Sequence, residues 1–133
     1  MVVAEPSELV SLDSNFLVAA RAPASAEGDQ LQRWLAQGTS VQISAVAWSE
    51  YLCGPVDESD VDIARSILTR IDPFAEADAG LASELFHQTG RRSRSHLDCM
   101  IAAHTIRRGG LLATLNIQAF RRFEKFRLKL VRI

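Results

Sequence analysis

The 133-residue sequence predicts an α/β protein built on a mostly parallel sheet with helices on both faces. Two observations carry that expectation. Short apolar runs recur along the chain, and between them lie segments whose apolar residues repeat at helical spacing. Strands that alternate with helices of about 10 residues or more form βαβ units, which need a parallel sheet covered on both sides.

The runs are Leu9 to Leu12, Val41 to Ile43, Ile71 to Phe74, Leu111 to Ala113 and Leu128 to Val131, giving a sheet of four to five strands. The intervening stripes are Leu31, Trp34 and Leu35; Val46, Ala47 and Tyr51; Ile63, Ile67 and Leu68; and Leu81, Leu85 and Phe86. A last helix is predicted from about His96 to Arg108, with Leu97, Met100, Ile101 and His104 on one face and Gly109-Gly110 to stop it. The segment Ala22 to Gly28, APASAEG, reads as a loop between short helices. No repeat is apparent, and the length suits one core, so residues 1–133 are expected to form a single domain.

Composition narrows the class. With 47% hydrophobic and 23% charged residues the chain has the make-up of an ordinary soluble globular protein. No apolar run reaches the roughly 20 residues of a membrane helix, and MVVAEPSELV lacks a basic start followed by an apolar stretch, so a cytoplasmic address is expected. Cys53 and Cys99 are expected to be free buried thiols, and His87, His96 and His104 show no metal-ligand spacing with them, which argues against zinc and gives the histidines structural or surface roles.

The net charge of −1 hides a division. Residues 1–90 carry 4 Lys/Arg against 14 Asp/Glu, whereas residues from 91 onward carry 11 against 2. Clustered cations of this kind suit a polyanionic partner. The plainer reading is that the two halves neutralise each other once folded.

In an open parallel sheet the carboxyl edge of the strands is where sites form. Asp13 directly follows the first run, Glu50 lies on the helix after the second, and Asp98 stands near the start of the helix before the fourth. Thr114 and Asn116 follow that fourth run, so all five are expected to converge at one edge. Each also has an ordinary structural reading. Asp13 is a natural cap for a helix from Ser14, Glu50 a solvated helix residue, Asp98 a dipole partner, Asn116 an N-cap and Thr114 a strand residue. Spacing gives Glu50 no basic partner, while Arg94, four residues before Asp98, is a candidate partner for that acid.

Three segments resemble PIN domains, and among them VapC-type toxins. LDSNFL at Leu12 to Leu17 is similar to the family's opening motif, and ISAVAWSEYL at Ile43 to Leu52 to its second, ending in the acidic position filled by Glu50. GRRSRSHLDCMIAAHTIRRGGLLATLN, Gly90 to Asn116, is the most specific, with a basic lead-in, a third acid at Asp98 and a closing Thr-x-Asn. One departure stands out: such sequences commonly continue to an Asp-Phe pair, and this chain has Ala119-Phe120, while Asn116 holds a position often filled by Asp.

The resemblance implies a three-layer α/β/α PIN-like fold and an endoribonuclease in which Asp13, Glu50 and Asp98 hold Mg²⁺ or Mn²⁺. Asp13 and Asp98 are the first choice for direct ligands, Glu50 for a water on the ion or a second ion, and Asn116 for orienting a water or phosphate oxygen. Ser14 and Thr114 are expected to steer the carboxylates, and Arg91, Arg92, Arg94, Arg121, Arg122 and Lys125 to draw in RNA. A homodimer and a VapB-like antitoxin partner are implied as well. The alternatives are a degenerate PIN module that binds RNA or protein without cutting, and a different metal-dependent phosphohydrolase, which the lack of an Asp-x-Asp motif disfavours.

Overall fold

A computed structural model describes residues 8–132. The first seven residues and the last, included in the domain expected above, lie outside the described residues. The elements run β1 (Leu9–Leu12), α1 (Ser14–Ala20), α2 (Ala26–Gln37), β2 (Ser40–Ser44), α3 (Ala45–Cys53), α4 (Glu58–Ile67), β3 (Arg70–Asp72), α5 (Glu76–Gln88), α6 (His96–Arg108), β4 (Leu111–Ala113), α7 (Ile117–Phe120), a 3₁₀ segment (Arg121–Phe126) and β5 (Lys129–Leu130). The strands form one sheet in the order β3-β2-β1-β4-β5, all pairs parallel. The α/β class and the parallel sheet flanked by helices are as the sequence predicts.

β1 lies in the middle because its residues are buried to either side: Val10 and Leu12 pack into the core, and Ser11 Oγ accepts a hydrogen bond from Gln42 Nε2 across to β2. Phe16 and Trp34 stack at 5.8 Å between centroids, tying α1 to α2. Gly109 ends α6 in the left-handed conformation, at φ 73°, and Gly110 lets the chain turn tightly into β4. A Cβ at Gly110 would stand 2.7 Å from the Leu9 carbonyl oxygen, so no other residue fits.

The structure corrects several local expectations. β3 ends at Asp72 rather than Phe74, because Pro73 has no N–H to continue the ladder. α2 already starts at Ala26, inside the expected loop, where Ser25 Oγ accepts from Gly28 N at 2.9 Å and caps it. The inward face of α4 is turned by one residue: Ile63 is 58% exposed and Ala64 is buried. Leu35 and Leu97 likewise face outward. Both cysteines are free, as expected, but Cys53 is exposed and only Cys99 is buried.

Part of the charge division is internal neutralisation. Arg108 donates from Nε to Asp72 at 2.7 Å and from both terminal nitrogens to Asp78 at 2.8 and 3.0 Å; Arg107 adds a 2.7 Å bond to Asp78. Burial pushes both carboxyls up, but the guanidinium bonds outweigh it and hold Asp72 below, and Asp78 well below, the usual carboxylate range. His104, fully buried on α6, lies 2.8 Å from Asp72 Oδ2 through Nε2 while Nδ1 has no partner. Burial lowers its tendency to take a second proton, against the pull of the neighbouring Asp72 carboxylate. These contacts fix the end of β3 and the start of α5 against the last turns of α6.

Candidate active site at the carboxyl edge

Asp13 lies between β1 and α1, as the N-cap of that helix. Its own N–H donates to the Ala113 carbonyl at 2.8 Å, so the chain leaves β1 still bound to the end of β4. One side-chain oxygen caps α1 by accepting Ser14 N–H at 2.9 Å; the other accepts the Thr114 hydroxyl at 2.8 Å. The capping role foreseen for Asp13 is therefore real, and it leaves the carboxylate at the sheet edge. Asn15 Oδ1 accepts Leu115 N–H at 3.1 Å, and Asn116 N–H donates to Thr114 Oγ1 at 3.0 Å. The turn after β4 is thus laced to the first turn of α1.

Glu50 approaches from α3, whose start is set by the Ser44 cap on Ala47 N–H. Ser14 Oγ reaches Glu50 Oε1 at 3.5 Å. Asp98 sits in the first turn of α6, half-buried. Burial raises all three carboxyls above their ordinary values; the charge of Asp98 adds to this at Asp13, those of Asp13 and Asp98 add to it at Glu50, and Arg122 opposes it at Asp98. For Asp13 the Thr114 and Ser14 bonds pull in the opposite direction without winning. Three acids from β1, α3 and α6 therefore share one negative field.

The counter-charge at this edge is Arg122, from the 3₁₀ segment. Its guanidinium lies 3.8 Å from Asp98 Oδ2, stacks over the Phe123 ring at 4.4 Å and donates to the Ala119 carbonyl. Arg94, the partner suggested by spacing, lies outside α6 in a loop residue of positive φ, 67°. The side chain of Arg122 is only 17% exposed, so it is part of the acidic site's wall. Arg91, Arg92, Arg94, Arg121 and Lys125 are surface residues. Asn116 is exposed at the start of α7, and its side chain makes no capping bond.

Sequence reasoning missed two contributors. Asn15 lay within the quoted LDSNFL segment; its position two residues after the edge aspartate, on a side chain able to bridge backbone turns, was the signal. Arg122 is expected from the sequence to draw in RNA, whereas its guanidinium faces Asp98.

The donor set suits a hard divalent cation, being oxygen throughout and short of positive charge. Among the described residues no three His, Cys, Asp or Glu side chains are already gathered around one point. The fit is therefore to an ion held by one or two of the carboxylates, with water completing its shell.

The PIN domain model matches residues 10–125, and the chain belongs to that family. No curated protein matches the sequence. Among solved structures, VapBC2 from Rickettsia felis, bound to a DNA fragment from its promoter, matches with a TM-score of 0.73 and 26% identity, covering 92% of this chain and 97% of the matched one. VapBC-1 from nontypeable Haemophilus influenzae matches with a TM-score of 0.68 at 15% identity over 92% of this chain and 96% of the other. VapC20 of Mycobacterium tuberculosis, a sarcin-ricin loop cleaving toxin, has a TM-score of 0.61 at 17% identity over 83% of this chain and 92% of its own. These last two show likeness of fold alone.

Proposed function

We propose that this chain is a divalent-metal-dependent endoribonuclease and the toxin of a VapBC-type toxin-antitoxin pair. The observation that carries the reading is the placement of three acids in a PIN domain: Asp13 directly after β1, Glu50 3.5 Å from the hydroxyl of the adjoining Ser14, and Asp98 in the first turn of α6. Likeness to VapBC complexes supports a VapB-like antitoxin as partner, and a homodimer is part of the same reading. Among the described residues no helix is long and apolar enough to cross a membrane. Residues 1–133 are proposed to act as one domain.

Asp13 and Asp98 would hold the ion, Mg²⁺ or Mn²⁺, with Glu50 oriented by Ser14 to accept a proton from water or to help hold a second ion. When bound, such an ion acidifies water and offsets negative charge on a phosphate. Thr114 fixes the Asp13 carboxylate by its 2.8 Å bond, and Asn116 offers an uncharged amide to a phosphate oxygen or water. Arg122, 3.8 Å from Asp98 Oδ2, would help to keep that carboxylate in place. Arg91, Arg92, Arg94, Arg121 and Lys125 bind phosphates of the RNA and give affinity with little sequence choice.

A second reading, a PIN module that binds without cutting, draws on Ala119 in place of an acid and on Arg122 beside Asp98. One experiment separates the two. Structured RNA is incubated in Mg²⁺, in Mn²⁺ and in chelator with the unaltered protein and with Asp13→Ala and Asp98→Ala. Cleavage that needs metal and both acids supports the nuclease; binding without cleavage by the unaltered protein supports the second reading; cleavage surviving both substitutions rejects the site.

A further inference from the structure

We infer that the cavity between α5 and the loop before α6 is a nucleobase subsite, which seats one unpaired base of the RNA. The inference rests on the nuclease reading and names how that same site chooses its substrate. The cavity is about 350 Å³ and is lined by Ser83, Phe86, Arg92, Ser93, Arg94 and His96. That volume holds a single nucleotide better than a helix of RNA.

Three features give it this chemistry. First, it carries flat rings: Phe86 is half-buried, with the His96 ring edge-on at 6.2 Å and that of His87 at 5.7 Å on the same residue. Unpaired bases stack on aromatic and imidazole planes, and sequence-specific RNA recognition falls mainly on such splayed bases. Second, cations crown it. Arg92 and Arg94 line the wall, and neither makes an ion pair among the described residues. Arg91 and Arg94 hold positive φ, at 54° and 67°, a conformation unusual for non-glycine residues. Third, it lies at the start of α6, the helix whose first turn carries Asp98.

Binding is measured by fluorescence anisotropy in an Asp13→Asn background, so that the RNA stays whole. The probes are a short single-stranded RNA of mixed sequence and its variants with one abasic nucleotide at each position in turn. One abasic position is expected to weaken binding about tenfold, the order that base-aromatic stacking contributes. That penalty should vanish in His96→Ala and in Phe86→Ala, because the stack is already lost, and persist in Phe86→Trp. His96 is exposed, so His96→Ala keeps the test open should Phe86→Ala fail to fold. A uniform abasic profile in a protein that cuts RNA with metal overturns the subsite and leaves the nuclease reading standing. A protein that neither binds nor cuts RNA overturns both.

Discussion

Asp13 and Thr114, 101 residues apart in the chain, meet in a 2.8 Å hydrogen bond from the threonine hydroxyl to the aspartate carboxylate. The bond joins the first residue after β1 to the first residue after β4. It also sets the orientation of an acid that burial has left only 5% exposed. Thr114→Val removes the donor and keeps the shape, so it should destabilise the protein by about 1–3 kcal/mol, while Thr114→Ser should stay within about 1 kcal/mol of the parent. Urea unfolding of the two variants checks this; equal losses in both would assign the effect to packing.

The acidic edge costs stability. Burial, reinforced by the charge of Asp98, raises the Asp13 carboxyl, so the folded state binds its proton more tightly than the unfolded chain does. A group raised in this way lowers stability as pH climbs through the window between its unfolded and folded values, and the loss persists at neutral pH. Asp13→Asn should therefore raise Tm by a few degrees at pH 7, with a smaller gain near pH 4, while abolishing activity. Calorimetry at both pH values reads the difference. A Tm that falls by the same amount at each would contradict the electrostatic account.

The α6 end behaves in the opposite sense. Asp72 and Asp78 are lowered in the folded state through Arg108, so their stabilisation is present above the unfolded carboxylate value and is lost as pH falls toward their folded values. Arg108→Ala leaves two buried carboxylates short of their main partner and should cost about 3–5 kcal/mol at pH 7. It should also flatten the loss of stability in acid. Equally steep acid unfolding in the variant would place the dependence elsewhere.

The cations before α6 make a prediction about salt. Arg91→Ala combined with Arg92→Ala should weaken RNA binding and reduce the slope of log affinity against log salt by roughly one to two, about one per phosphate contact removed. Filter binding from low to high salt measures it, and an unchanged slope would remove these residues from the RNA path.

What could be read from the sequence follows a physical pattern. β1 and β4 are legible to the residue because central parallel strands are continuous apolar runs, and α6 because two glycines stop it. The edge position of Asp13 follows from ending such a run. Contacts made across long stretches of chain are not legible in this way. Nothing local marks Asp72 and Asp78 as the partners of Arg108, or Arg122 as the partner of Asp98. The helical-spacing rule pointed to Arg94 because it assumes both residues share a helix, and α6 begins only at His96. On α4 Ile63 is exposed and Ala64 buried, and the helix borders Leu17, Leu31 and Tyr51 of other helices, neighbours that spacing within α4 alone does not reveal.

The most direct test is crystallographic: crystals grown with Mn²⁺, with anomalous scattering collected at the manganese edge. The account predicts a peak bounded by Asp13 and Asp98, with Glu50 facing it, and no such peak in Asp98→Asn. A fully formed edge without manganese, or an ion held only by other residues, would contradict it.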